Sequence, residues 1–123
     1  MLRVAGYVDR MDLAYACADL VVSRAGATTI AELTVCGLPA LLIPYPYATN
    51  GHQEANARAL QRVGGAGVLL DDQLSAVVLA ERVEGLIDHP ARLGAMAERS
   101  RSFGRPNAAA SLADLVESVG SLP

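Results

Sequence analysis

The stretch SRAGATTIAEL, Ser23 to Leu33, joins an apolar run to a helical pattern through a glycine, two threonines and one acid. Where a strand turns through Gly26 into a helix, the first backbone N–H groups have no partner inside the helix. The helix dipole adds about half a positive charge at the same place. Phosphate binds such an end readily. Gly26 keeps side-chain bulk away from an approaching ligand, and Thr28 and Thr29 add hydroxyl donors within the first turn. Glu32, about one turn further in, offers a carboxylate that can accept both hydroxyls of a ribose cis diol. An ordinary helix cap followed by a surface acid placed favourably toward the dipole fits the same residues.

A second constellation is PYPYATNGHQEANA, Pro44 to Ala57, at the carboxyl end of an apolar run. Its residues His52, Gln53 and Asn56 open a helical pattern, and their side chains both donate and accept hydrogen bonds. A sugar needs such partners, because each hydroxyl is also donor and acceptor. A Pro/Gly turn with polar capping residues is the alternative.

The elements that must position these groups follow a βα rhythm. The pattern predicts strands at Leu2–Tyr7, Leu20–Ser23, Pro39–Ile43 and Ala66–Leu70. It predicts helices at about Arg10–Ala18, with Met11, Tyr15 and Ala18 on one face, at Ala27–Cys36, stopped by Gly37, and at His52–Val63. Three more follow at about Ser75–Asp88, Pro90–Ser102 and Pro106–Val119, with Leu74, Val78 and Leu86, then Leu112, Leu115 and Val119, at helical spacing. Unbroken apolar strands suit a parallel sheet buried on both faces. The predicted class is therefore α/β, and ligands of open α/β sheets sit outside the carboxyl ends of the strands. Both constellations fall there.

Composition sets outer limits. A chain of 123 residues, 52% hydrophobic and 19% charged, can bury roughly two-thirds of its unfolded surface in a single core, so one domain over 1–123 is expected. A net charge of −3 lacks the basic face that nucleic-acid binders carry. All ten basic residues are arginine, a compositional bias. Cys17 and Cys36 lie on different predicted helices without ligand spacing, and are read as reduced core residues. His89, between helices beside Pro90, reads as a surface residue. No apolar run of about 18 residues and no basic-then-apolar start is present, which makes the cytoplasm the expected compartment. The chain starts almost directly on a strand, with four strands where doubly wound domains have about six. An edge or apolar face so exposed should find a partner, and self-association is expected of the isolated chain.

The stretches VAGYVDRMDLAYACADL, ADLVVSRAGATTIAEL and GLPALLIPYPYATNGHQEANA together resemble the C-terminal half of the MurG family of peptidoglycan glycosyltransferases. The likeness runs from about Val4 to Val119 and is densest from Asp19 to Asn56; the last two helices match in pattern only. It implies a Rossmann-like parallel sheet with flanking helices, the partial C-terminal domain of a GT-B glycosyltransferase. The activity implied is transfer of N-acetylglucosamine from UDP-GlcNAc to undecaprenyl-diphospho-N-acetylmuramoyl-pentapeptide, giving lipid II. Tyr7 and Val8 match the turn that stacks an aromatic side chain near the nucleotide and reads uracil with backbone groups. Ala27, Thr28 and Thr29 match the helix start that meets the diphosphate, and Glu32 the acid that holds the ribose hydroxyls. Gln53, with His52 beside it, matches the pair that reaches the GlcNAc hydroxyls, and Asn56 follows one turn later. His52 stands where many members have another polar residue.

The likeness also implies what this stretch would lack: the N-terminal acceptor domain with its candidate base, and the first strands of the donor domain, which supply an arginine and a serine. Inverting transfer needs a base for the acceptor hydroxyl and positive groups for the departing UDP; here the helix end, with Arg24 beside it, offers the second. The expected partners are UDP-GlcNAc, the N-terminal domain or a separate partner chain, and through it the lipid-linked acceptor at the inner face of the plasma membrane. Neither cofactor nor metal is implied, and the chain alone is expected to be inactive. A UDP-sugar-binding subunit of a split transferase, and a related GT-B enzyme with another acceptor, remain open alternatives at this point.

Overall fold

The computed structural model describes residues 11–47 and 52–104, with side chains from residue 14 onward in the first segment. The order is α1 (Met11–Cys17), β1 (Val21–Ser23), α2 (Ala27–Cys36), β2 (Ala40–Leu42), α3 (His52–Arg62), β3 (Ala66–Val68), a 3-10 turn (Asp71–Gln73), α4 (Ala76–Ile87) and α5 over 90–104. The strands form a parallel sheet in the order β1-β2-β3, with Val21 opposite Ala40 and Ala40 opposite Ala66. The predicted strand Leu2–Tyr7 and helix Pro106–Val119 lie outside the described residues.

Alternation along the strands assigns their side chains to two layers. Ala40, Leu42, Ala66 and Val68 face Ile30 and Leu33 of α2 and Ala57 and Leu60 of α3, with Tyr15, Ala18 and Phe103 packed against them. Leu41, Ile43 and Leu69 face the other way, onto Leu86 of α4 and Met96 of α5. The central strand β2 is buried throughout because helices cover both faces. This sandwich explains why the strands read as continuous apolar runs rather than alternating ones.

Local signals fix the helix ends. Gly37 takes a left-handed conformation, φ 67°, in which its N–H and that of Leu38 close onto the carbonyls of Thr34 and Leu33. Ser75 caps α4, its Oγ accepting from the Val78 N–H at 3.2 Å. Leu74, expected on the inner face of that helix, precedes the cap and is exposed.

The two cysteines overturn the expectation of a core position: both are free and exposed. The buried side chains of α2 are Ile30, Leu33 and Thr34. At 3.6 residues per turn Cys36 falls about a third of a turn from the centre of that stripe. On α1, Tyr15 and Ala18 pack against the core, and Cys17 lies more than half a turn from Tyr15.

Candidate functional site

The carboxyl ends of β1 and β2 run into the segments Arg24–Gly26 and Ile43–Tyr47, and α3 begins between them. Gln53 ties these pieces together. Its Oε1 accepts the Tyr45 N–H at 2.9 Å and the Ala25 N–H at 3.2 Å. Two backbone donors occupy both lone pairs of that oxygen, so the amide presents only its NH2 donors to a ligand. The sequence reading, in which Gln53 both donates and accepts, is narrowed accordingly. A Cβ built on Gly26 would stand 3.9 Å from Gln53 Nε2, which puts this amide beside the N-terminus of α2.

That N-terminus has no side-chain cap. Gly26 is the N-cap, extended at φ −65° and ψ 149°, and its carbonyl accepts the first helical bond from Ile30 at 3.0 Å. The N–H groups of Ala27, Thr28 and Thr29 precede that bond and have no carbonyl within the helix to meet. Ala27 and Thr28 are exposed and Thr29 is half-buried, so the end is open to an anion. Thr28 and Glu32 are four residues apart and share one face of α2. Glu32 is exposed, and its Oε2 accepts a hydrogen bond from the Tyr15 hydroxyl at 3.0 Å. Burial, then the hydrogen bond and charge of Glu32, push the Tyr15 phenol above its ordinary value.

His52 is exposed as the first residue of α3, and Asn56, one turn on, is half-buried. Tyr7 and Val8 lie outside the described residues; of the others, the structure sets Gln53 beside Gly26 and the first turn of α2, Ala27 to Thr29, while Glu32 lies further along α2, bonded to Tyr15 of α1, and Asn56 one turn into α3. Arg24, offered by the sequence as a positive group for a leaving anion, is engaged. Its Nη1 donates to Asp71 Oδ1 at 2.6 Å and to the Ile43 carbonyl at 3.4 Å, and its guanidinium lies over the Tyr45 ring at 5.5 Å. His89 is exposed and its Nδ1 meets the Gly85 carbonyl at 3.0 Å.

Sequence reasoning missed Asp71 as a neighbour of this crevice, whereas Tyr45 belongs to the loop it had placed there. Asp71 stands three residues after the end of β3, and a carboxylate just beyond the carboxyl end of a parallel strand was the available signal. Tyr45 and Tyr47 meet edge to face, ring centres 5.5 Å apart, and a groove of about 520 Å³ runs between Pro44–Tyr47, Glu54 and Leu70–Asp72. Among the described residues no group of three or more His, Cys, Asp or Glu side chains converges as a metal site would require.

A parallel sheet wrapped by helices, with an open helix end, an acid and an amide at its carboxyl edge, defines a Rossmann-like domain of the kind that forms the C-terminal part of GT-B glycosyltransferases. The glycosyltransferase family 28 C-terminal domain matches residues 1–116, and the chain belongs to that family. It is similar to the protein of Halothermothrix orenii named UDP-N-acetylglucosamine--N-acetylmuramyl-(pentapeptide) pyrophosphoryl-undecaprenol N-acetylglucosamine transferase, 49% identical over 115 residues that cover 94% of this chain and 31% of that protein. The equally named protein of Desulfitobacterium hafniense is 53% identical over 106 residues, 86% of this chain and 29% of that one. A crystal structure of Acinetobacter baumannii MurG superposes with a TM-score of 0.82 at 32% identity, covering 96% of this chain and 35% of the other. The chain thus spans roughly a third of the length of the relatives it matches.

Proposed function

We propose that this chain is the donor-binding part of a transferase that moves N-acetylglucosamine from UDP-GlcNAc to undecaprenyl-diphospho-N-acetylmuramoyl-pentapeptide, forming lipid II. The names of its relatives support the reaction class. The observation that carries the reading is the amide of Gln53 held beside the open N-terminus of α2, because a nucleotide sugar needs a sugar-facing donor next to its diphosphate. In this reading the first N–H groups of α2 receive the diphosphate, Glu32 the ribose diol, and Gln53, His52 and Asn56 the sugar hydroxyls, with Tyr7 and Val8 at the base.

The chemistry follows from that placement. An acceptor hydroxyl attacks the anomeric carbon, the bond from that carbon to the diphosphate oxygen breaks, and the negative charge grows on the departing UDP. The α2 end stabilises that charge. The proton of the acceptor hydroxyl goes to a base, which this reading assigns to an N-terminal acceptor half, the partner through which the lipid-linked acceptor is met at the inner membrane face. Among the described residues no helix is long and apolar enough to cross a membrane.

The chain alone should bind UDP weakly, in the millimolar range, because it spans only about a third of the length of the relatives whose activity is proposed for it. In a titration followed by NMR, Glu32→Ala should weaken UDP about tenfold, the order expected for charge-assisted hydrogen bonds, and leave pyrophosphate unchanged. Equal losses for both ligands would remove Glu32 from the ribose.

Self-association is expected from the sequence at the edge strand Leu2–Tyr7 or at a bare apolar face; for the latter we propose a surface beside β1. A groove of about 740 Å³ beside β1 is lined by Leu20, Val22, Leu38, Val83, Ile87 and Leu93 among others, and Val22 and Ile87 are exposed. Light scattering on the isolated chain should show species above the monomer mass, and Ile87→Asp should shift them toward monomer. A clean monomer at high concentration would remove the proposal.

A further inference from the structure

The proposed ribose contact leaves a difficulty, because Glu32 is an exposed side chain of α2 and an unrestrained carboxylate is a poor template for two hydroxyls. Tyr15 supplies a restraint from a different element. It stands on α1, seventeen residues earlier in the chain, its ring packs against the core cluster beneath α2, and its hydroxyl reaches Glu32 Oε2 at 3.0 Å. The ring is thus seated by packing while the oxygen at its tip meets the carboxylate. A phenol is protonated at neutral pH whatever its surroundings add, so that oxygen is a donor to the carboxylate.

We propose that Tyr15 is a positioning residue for nucleoside recognition, holding the Glu32 carboxylate in one orientation so that its remaining lone pairs receive the ribose diol. The inference rests on the nucleotide reading given above. An ionised carboxylate has about four acceptor sites; the phenol takes one and three are left, of which a vicinal diol uses two. Bound this way, the carboxylate loses little further freedom when the ligand arrives, and a side chain already ordered costs less to bind through. Tyr15 touches no reacting atom, and its effect should appear only on ligands that engage Glu32.

The test compares UDP, 2′-deoxy-UDP and pyrophosphate, each titrated by NMR into the whole chain as wild type, Tyr15→Phe, Glu32→Gln and the double variant. Phenylalanine retains the packed ring, and Glu32→Gln alters an exposed position, so both should keep the wild-type amide spectrum. The expected result is a loss of about three- to tenfold in UDP affinity for Tyr15→Phe, the range of one net hydrogen bond. The same variant should bind pyrophosphate within about twofold of wild type, lose less on 2′-deoxy-UDP, which keeps one of the two hydroxyls, than on UDP, and add nothing further in the Glu32→Gln background. A merely structural role would lower all three ligands alike, and that pattern overturns the proposal. So does UDP affinity unchanged or tightened by Tyr15→Phe while wild type still prefers UDP over its 2′-deoxy form. Wild type that fails to distinguish UDP from pyrophosphate would instead overturn the ribose reading itself, and this inference with it.

Discussion

Leu33→Ala should lower the unfolding free energy by about 2–5 kcal/mol, the range for truncating a buried leucine, while Val35→Ala on the same helix should shift it by no more than about 0.5 kcal/mol, in the stabilising direction. Leu33 is fully buried between α2 and the sheet, among Ala40, Leu42 and Leu60; Val35 is 62% exposed. The first substitution leaves a cavity in the layer that seats the site helix. The second removes only a branched side chain from a solvated face, where alanine is the better helix former. Against a total stability of roughly 5–15 kcal/mol for a domain of this size, the loss at Leu33 is a large share. Urea unfolding checks it through the midpoint at constant slope. Similar costs at the two positions would mean that α2 is not seated through the stripe Ile30, Leu33 and Thr34.

What the sequence made legible was local. Helix α2 was placed to the residue, with Gly37 as its stop, because apolar spacing and a left-handed cap are both encoded within a few positions. Ser75 and Asp88, read as the ends of a helix, are the caps of α4. The strands were read long: Leu20, Pro39, Ile43, Leu69 and Leu70 are apolar like their neighbours, and where pairing stops depends on the partner strand rather than on residue type. Of the candidate site, the meeting of Gln53 with the start of α2 was legible as residue types at two strand ends, since the topology of parallel sheets brings those ends together. The site's wiring was not. The Tyr15–Glu32 bond joins positions 17 apart and the Ala25–Gln53 bond positions 28 apart, and no periodicity reports such pairs. Arg24 shows the same limit, for its engagement by Asp71 spans 47 positions.

Glycine to alanine should act with opposite signs at two places in α5. At Gly94 a new Cβ meets nothing within 4 Å, so the helix-forming gain of alanine, about 0.5–1 kcal/mol, should appear as added stability. At Gly104 the same atom would lie 2.6 Å from the carbonyl carbon of Thr34, 2.7 Å from its oxygen and 2.8 Å from its Cβ. Backbone cannot rotate out of the way, so α5 and α2 must move apart, and overpacking of this kind costs about 1–3 kcal/mol or more. We expect a net loss of roughly 2 kcal/mol at Gly104. The displacement should also reach the candidate site, because Thr34 is buried and its Oγ1 bonds the carbonyls of Ile30 and Ala31 within the helix whose first turn is proposed to receive the diphosphate. Denaturant unfolding of the two variants gives the signs, and amide shifts at Ala27–Glu32 in Gly104→Ala, with none in Gly94→Ala, give the coupling. Stabilisation at both positions would mean that α5 does not press on α2 at Thr34, and that the site helix is held by the sheet alone.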